Sequence, residues 1–283
     1  MKRFFTLATV VATSGLLFAG ALAGAASASA SVAASRPQPG GTIIRTPGNS
    51  GLPTISENWS GYAATSPKKF NSVQAQFAQP KLSCPGKANQ WTSNWVGLDG
   101  FTDGTVEQTG TFAFCGGKAH TTPQYEAWYE MFPAGSIGVF SVKPGDVIDT
   151  AVHYTGGKFH ISIADVNSGK HFSIAKSCAT CQRASAEWII ERPALCNNTE
   201  TKCFLTALAD FHTTVMGQAK ASVSGGKVKG IGGFNNVPIF MVDPLKTGGF
   251  ISLDQVSALS GPAFAAQWIR SGTITPITLG PRG

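Results

Sequence analysis

The alternation of apolar and polar positions along this chain predicts short β-strands. Between residues 72 and 78, Val73, Ala75 and Phe77 share one face, which is the pattern of a strand buried on one side. No long segment has apolar residues at helical spacing. The pattern therefore predicts an all-β protein.

Tight turns separate two further predicted strands. The β-rich runs 147–154 and 158–164 follow one another, and the second alternates apolar with polar or small residues. Turn-forming residues surround them, in the segments 143–146, 155–158 and 167–170. Consecutive hairpins of this kind predict two packed antiparallel sheets, that is, a β-sandwich.

The first thirty residues have the pattern of a secretory signal peptide. Lys2 and Arg3 precede an apolar stretch from residue 4 to about 22, and small residues alternate over 26–30. No later apolar run approaches the ~18–20 residues that a membrane-spanning helix needs. The pattern predicts an exported protein with no membrane anchor, residues 1–30 being the signal peptide.

The remainder divides into a short leader and one large domain. Residues 31–57 are rich in Pro, Gly, Ser and Thr, which predicts a linker or a short pro-segment. Residues 58–283 are long enough for a single β-sandwich domain, and no second boundary is visible.

Composition narrows the range of partners. Only 13% of the residues are charged, and the formal net charge is +7, or +5 without Lys2 and Arg3. The 22 Lys and Arg residues are scattered singly, so nucleic-acid binding is not predicted. With only 15 carboxylates, the protein gains little positive charge in acid, which fits a protein that tolerates low pH.

Six cysteines lie beyond the predicted signal peptide, and an even number in an exported chain favours disulfides. Cys196 and Cys203 can close a small loop. The sequence does not fix the pairing of the other four, for which the hypothesis is Cys84 with Cys115 and Cys178 with Cys181. The spacing of Cys178 and Cys181 also suits zinc, but no second close pair of cysteines or histidines completes four ligands.

The familiar hydrolase motifs are absent from the sequence. There is no G-x-S-x-G, no H-E-x-x-H, and no Asp-Thr-Gly or Asp-Ser-Gly. Neither a catalytic metal nor a cofactor is predicted, and the five histidines receive no role.

Five short motifs resemble those of the glutamic peptidases, also called eqolisins, in the same order and with similar gaps. They are Asn58-Trp59-Ser60-Gly61, Trp95-Val96-Gly97-Leu98-Asp99-Gly100, Gln108-Thr109-Gly110, Ala127-Trp128-Tyr129-Glu130 and Ala186-Glu187-Trp188-Ile189-Ile190-Glu191. Each motif is weak by itself, and the ordered set is specific. The resemblance covers residues 58 to about 211.

The resemblance implies a fold and a mechanism. The fold is a sandwich of two bent antiparallel sheets, of the concanavalin A-like or jelly-roll type, with a concave face that binds an extended polypeptide. The family's catalytic glutamine and glutamate fall on Gln108 and Glu191. Glu191 would act as general base on a water, and Gln108 would stabilise the oxyanion.

A carboxylate base suits acidic conditions. The ordinary glutamate pKa is about 4.3, whereas a histidine would already be charged in acid. The sequence therefore predicts a secreted, monomeric acid endopeptidase that needs no metal.

The resemblance also implies a set of substrate-binding residues, and the chain departs from the fungal pattern at Phe112. Positions that match the family's cleft are Trp95, Asp99, Trp128, Glu130 and Phe132. Phe112 stands where the fungal members have an acidic residue, so their substrate preference does not transfer to this chain.

Two other classes of function remain open at this point. A secreted sandwich that binds carbohydrate or protein could use Trp95 and Trp128 as stacking platforms. A glycosidase would need two carboxylates, which Asp99, Glu130 and Glu191 could supply.

Overall fold

A computed structural model of the protein describes residues 37–38, 43–44, 54–197 and 202–277. Apart from a 3₁₀ turn at Ile231–Gly233, the described residues form strands, turns and irregular segments. In chain order the strands are β1 (Pro37–Gln38), β2 (Ile43–Ile44), β3 (Thr54–Ser56), β4 (Trp59–Thr65), β5 (Phe70–Ala78), β6 (Gln90–Leu98), β7 (Val106–Gly116), β8 (Thr122–Phe132), β9 (Ile137–Ser141), β10 (Val147–Thr155), β11 (Lys158–Asp165), β12 (His171–Lys176), β13 (Ser185–Glu191), β14 (Ala194–Cys196), β15 (Cys203–Leu205), β16 (Ala207–Leu208), β17 (Thr213–Val223), β18 (Lys229–Gly230), β19 (Asn235–Pro244), β20 (Phe250–Ser252), β21 (Asp254–Val256), β22 (Phe264–Trp268) and β23 (Thr275–Ile277).

The described strands assemble into two large sheets and one small one. The larger sheet has eleven strands and runs β2-β3-β19-β4-β13-β6-β7-β8-β9, with β16 beside β6 and β20 beside β19. The second has eight strands and runs β12-β11-β10-β5-β17-β22-β21, with β18 beside β17. A four-stranded sheet, β1-β14-β15-β23, was not predicted from the sequence pattern.

The predicted β-sandwich is confirmed. The alternating residues Val73, Ala75 and Phe77 of β5 are buried, and the predicted hairpin is β10 and β11, paired from Ile148 opposite Asp165 to Thr155 opposite Lys158. The main core contains buried residues of both large sheets, so it fills the space between them. Most strand pairs are antiparallel, although β3 with β19 and β16 with β6 are parallel.

A second apolar cluster marks the opposite face of the eleven-stranded sheet. It contains the buried aromatics Trp59, Trp95, Phe112 and Trp128, together with Ile189. Because side chains alternate along a strand, these residues point away from the main core. We call this face of β4, β13, β6, β7 and β8 the site face.

The three predicted disulfides are confirmed: Cys84–Cys115, Cys178–Cys181 and Cys196–Cys203. The last of these joins the paired strands β14 and β15, where Cys196 lies directly opposite Cys203. Because all six thiols are consumed, zinc ligation by Cys178 and Cys181 has no thiolates to use.

The predicted signal peptide, residues 1–30, lies outside the described residues. Within the predicted leader, β1 pairs with β14, β2 pairs with β3, and β3 pairs with β19. The division into leader and domain stays a prediction. Within the described part of the chain, no helix has the length and apolar character needed to cross a membrane.

Candidate active site

The strands that carry the five motifs lie side by side in the order β4-β13-β6-β7-β8. On β6, Ser93, Trp95 and Gly97 share one face. Glu191 of β13 is paired with Ser93, and Gln108 of β7 is paired with Gly97. Directly opposite residues of a strand pair share a face, so Glu191 and Gln108 both lie on the site face.

Two side-chain donors hold the Glu191 carboxylate. The indole Nε1 of Trp95 donates to Oε2 at 2.7 Å, and Asn58 Nδ2 donates to Oε1 at 3.1 Å. The Asn58 amide is itself oriented, because Ser56 Oγ donates to its Oδ1 at 3.0 Å. Both Glu191 oxygens thus accept hydrogen bonds in defined directions.

Burial dominates the protonation of Glu191. Its side chain is 1% exposed, and desolvation raises its pKa from 4.5 to about 8. The hydrogen bonds from Trp95 and Asn58 act in the opposite direction, because they favour the ionised form.

Gln108 is fixed by a second carboxyl group. Its Nε2 donates to Glu130 Oε2 at 2.6 Å, across the directly paired strands β7 and β8. Desolvation raises the pKa of Glu130 well above its usual value, the nearby Glu191 carboxylate adds to this, and the bond from Gln108 opposes it. The charge of Glu191 is thus one of the causes of the raised pKa of Glu130.

Gly110 of β7 allows β6 and β7 to lie close together beside Trp95. It lies opposite Trp95 on one side and Trp128 on the other. A Cβ atom at Gly110 would lie 2.1 Å from the Asn94 carbonyl oxygen and 2.5 Å from Trp95 Cβ. The glycine of the Gln108-Thr109-Gly110 motif is therefore a steric requirement for the position of Trp95.

The structure brings most of the predicted site residues together. Trp95 and Glu130 contact the two candidate catalytic side chains directly. Trp128 lies on the same face and stacks on Phe112, with ring centroids 4.6 Å apart, and Phe132 packs against the same apolar cluster.

Asp99 lies apart from this group. Its carboxylate accepts hydrogen bonds from the backbone N–H groups of Gln182, Arg183 and Ala184, at 2.9, 2.7 and 2.5 Å. These residues lead directly into β13, so Asp99 anchors the segment that precedes the Glu191 strand. In this structure it contacts neither Gln108 nor Glu191.

Asn58 is the site residue to which sequence reasoning gave no role. It was quoted only as the first residue of a motif, yet it supplies one of the two donors to Glu191, which is 133 residues away. The available signal in the sequence was its place in the first motif, immediately before Trp59. In the structure Trp59 begins β4, which pairs with β13.

Aromatic rings continue along the site face beyond Glu191. Phe112 is two strands from Glu191, with Ser93 between them. Trp91 meets Phe112 edge-on at 6.0 Å and stacks on Phe114 at 4.1 Å. The surface around Phe112 is therefore apolar.

Comparisons with known proteins assign most of this chain to a family. A family model described as the Peptidase A4 family matches residues 57–243, a range that contains Asn58, Gln108 and Glu191. No curated protein matches the chain by sequence.

Solved structures show the same fold. A scytalido-glutamic peptidase with a transition state analog inhibitor is 23% identical, with a TM-score of 0.64 over 75% of this chain and 98% of that one. SCP-B, a member of the eqolisin family of peptidases in complex with the tripeptide Ala-Ile-His, is 22% identical, with a TM-score of 0.62 and the same coverage. The aspergilloglutamic peptidase from Aspergillus niger is 24% identical, with a TM-score of 0.50 over 64% of this chain and 99% of that one.

Proposed function

This chain belongs to the peptidase A4 family, the glutamic-type peptidases, and we propose that it is a secreted, acid-acting endopeptidase in which Glu191 and Gln108 perform catalysis. The observation that carries the proposal is that each carboxylate oxygen of Glu191 accepts a hydrogen bond from a buried side chain. Trp95 and Asn58 hold its two oxygens, while Gln108 lies on the same face two strands away. Extended polypeptides are the proposed substrates, and the proposed state is a monomer.

The proposed reaction needs only these two side chains and one water. The ionised Glu191 takes a proton from the water as its oxygen attacks the scissile carbonyl, and later returns that proton to the departing amine. Gln108 donates an amide N–H to the oxyanion that forms on the carbonyl oxygen. Glu130 holds the Gln108 amide in one orientation, because an N–H of that amide is bonded to its carboxyl group.

Activity in acid requires the site to be hydrated. While Glu191 is enclosed, its pKa of about 8 leaves it protonated in acid and unable to act as a base. Water that enters with the substrate removes desolvation, which is the largest cause of the raised pKa. The hydrogen bonds from Trp95 and Asn58 remain, and they favour the carboxylate.

We expect the substitution Trp95→Phe to move the acid limb of the pH profile of kcat, which reports the substrate-bound enzyme, to higher pH. The ionised Glu191 loses a donor worth roughly 1.5–3 kcal/mol, which corresponds to a shift of about one to two pH units. The profile is measured on a peptide substrate. Trp128→Phe is the matched control, because its indole Nε1 has no hydrogen-bond partner in the described structure. An unshifted limb in Trp95→Phe would show that this bond does not tune the base.

The experiment that tests the proposed function is digestion of denatured casein from acid to neutral pH, with pepstatin and a chelator as controls. Cleavage in acid that resists both reagents supports the proposal. In the same assay, Gln108→Ala should lower kcat by roughly 10²- to 10³-fold, because one oxyanion donor is lost. Gln255→Ala, which removes an exposed amide on β21, should retain full activity. Equal activity of Gln108→Ala and wild type would remove Gln108 from the mechanism.

The two other candidate functions receive less support from the geometry. Trp95 and Trp128 are buried, and Trp95 is bonded to Glu191, so neither presents an open ring face to a sugar. Of the carboxylates that a glycosidase could use with Glu191, Asp99 is engaged by three backbone N–H groups and Glu130 is bonded to the Gln108 amide.

Secretion is proposed from two features. The predicted signal peptide indicates export, and the three disulfides are consistent with an oxidising compartment.

A further inference from the structure

Arg192 directly follows Glu191 in the chain, and its side chain is 0% exposed. Its guanidinium makes three directed hydrogen bonds. Nε donates to the Glu57 carbonyl oxygen at 2.5 Å, Nη1 to the Thr273 carbonyl oxygen at 2.9 Å, and Nη2 to Asp243 Oδ1 at 2.6 Å. A guanidinium is a planar fork of donors, so bonds to three different groups fix its orientation.

Arg192 holds the two carbonyl groups that flank Asn58. Its side chain bonds the carbonyl of Glu57, and its own backbone N–H donates to the Asn58 carbonyl oxygen at 3.0 Å. Asn58 is the residue whose side-chain amide donates to Glu191. The backbone of Asn58 is therefore fixed relative to the end of β13, on which Glu191 lies.

The charge of Arg192 does not act on Glu191 directly. The carboxylate that pairs with the guanidinium is that of Asp243, at 2.6 Å. Burial is the largest cause of the raised pKa of Glu191, and the hydrogen bonds from Trp95 and Asn58 oppose it, whereas the charge of Arg192 is not among the causes. An influence of Arg192 on Glu191 must therefore pass through Asn58.

The C-terminal part of the chain holds Asp243 in turn. Asp243 Oδ2 accepts hydrogen bonds from the Thr273 backbone N–H at 2.6 Å and from Thr273 Oγ1 at 2.9 Å. Gly272 permits this approach, because its φ is +66° and a Cβ atom there would lie 2.9 Å from Asp243 Oδ2. Thr273 lies beyond the residues matched by the family model, which end at 243.

We propose that Arg192 is a positioning residue for Glu191, which fixes the Asn58 amide against the carboxylate while Asp243 and Thr273 hold the guanidinium. This role rests on the proposed function, in which Glu191 is the general base. Arginine suits the position because it bonds three groups in fixed directions, whereas a lysine ammonium is a point charge on a flexible stem. Asp243 balances the buried cation, and an unpaired one would be strongly destabilising.

The test is the pKa of Glu191 in the substrate-free, full-length protein, measured by NMR of the side-chain carboxyl carbons. Absence of the signal from Glu191→Gln identifies it. Asn58→Ala removes a donor to the ionised form, so the pKa should rise by about one unit or more. Arg192→Lys should raise it in the same direction, by up to the same amount. Glu130, whose pKa responds to the Glu191 charge, is unchanged in these two variants.

A double variant separates positioning from a general structural role. If Arg192 acts through Asn58, Arg192→Lys should cause no further rise of the Glu191 pKa in the Asn58→Ala background. Arg270→Lys, the same substitution at an exposed arginine, should leave this pKa unchanged. Thermal unfolding shows that each variant is folded, and a lower Tm without a changed pKa is what a purely structural role would give.

Arg192→Lys is the deciding variant because it retains a cation beside Asp243. Arg192→Met would leave that buried carboxylate unpaired and would test folding as much as positioning. An unchanged Glu191 pKa in folded Arg192→Lys overturns the proposal. An equal rise with and without the Asn58 amide also overturns it, because Arg192 then acts by another route.

The NMR readout requires no substrate and no turnover. A failure of positioning is therefore distinguishable from a failure of the proposed function, which the casein assay tests. Where both hold, the acid limb of the kcat profile of Arg192→Lys should also move to higher pH, since the ionised Glu191 has lost the fixed Asn58 donor.

Discussion

Replacement of Glu191 by Gln should abolish proteolysis while leaving the protein folded. The amide has nearly the same shape as the carboxylate but cannot take a proton from water. General-base catalysis is worth roughly 10²- to 10⁴-fold, so we expect kcat on a peptide substrate to fall by about 10³-fold or more. Initial rates of casein or peptide hydrolysis, measured across the active pH range, give this loss.

Thermal unfolding separates a catalytic effect from misfolding in this variant. The raised pKa of Glu191 means that the folded state holds its proton more tightly than the unfolded chain does. Its stabilising contribution is therefore full below about pH 4.5 and is lost as pH rises toward 8. Glu191→Gln stays neutral, so its Tm at neutral pH should not fall below that of wild type.

A matched control tests whether the loss of any carboxylate from the site face is enough to lower proteolysis. Glu126→Gln removes an exposed carboxylate that lies on the site face of β8, opposite Phe112, and it should leave proteolysis intact. Residual wild-type activity in Glu191→Gln would contradict the proposed base, and peptide binding without cleavage in the wild type would favour the binding-module alternative.

Replacement of Gly110 by Ala should disrupt both stability and activity. The added Cβ would overlap the Asn94 carbonyl oxygen and the Trp95 Cβ atom, and backbone cannot move aside as a flexible side chain can. Overpacking of this kind costs about 3 kcal/mol, which lowers Tm by roughly 6–12 °C. Displaced Trp95 also loses its bond to Glu191, so proteolysis should fall even at temperatures at which the variant is folded.

Gly217→Ala is the control for this variant, since Gly217 also lies in a strand. Its nearest neighbour to an added Cβ is the Gln76 carbonyl oxygen, at an ordinary contact distance of 3.5 Å. Thermal unfolding and casein hydrolysis are measured on both variants. An unchanged Tm and unchanged activity in Gly110→Ala would show that β6 and β7 can separate without cost to the site.

Local patterns predicted the parts of the fold that depend on local geometry. The alternation around Val73, Ala75 and Phe77 identified a strand and its buried face, since the side-chain period of a strand is 2. Turn residues located the hairpin of β10 and β11. The four-stranded sheet was missed because its members are only two or three residues long, which is too short to show a period.

The disulfides show where local reasoning succeeds and where it needs a guess. Cys178–Cys181 and Cys196–Cys203 are separated by 3 and 7 residues, so proximity in sequence favours each pair. Cys84–Cys115 spans 31 residues, and the sequence offered this pair only as a hypothesis because nothing local fixes a pairing over that distance.

The sequence by itself determined the β-rich character of the chain, its oxidised cysteines and, through the ordered motifs, its family. Tertiary structure alone decided the pairing of Asn58 with Glu191 and the anchoring role of Asp99. The physical reason is strand register: a period of 2 assigns each side chain to a face but does not say which residue of a distant strand will lie opposite. The raised pKa of Glu191 has the same origin, because desolvation depends on every strand that covers the group.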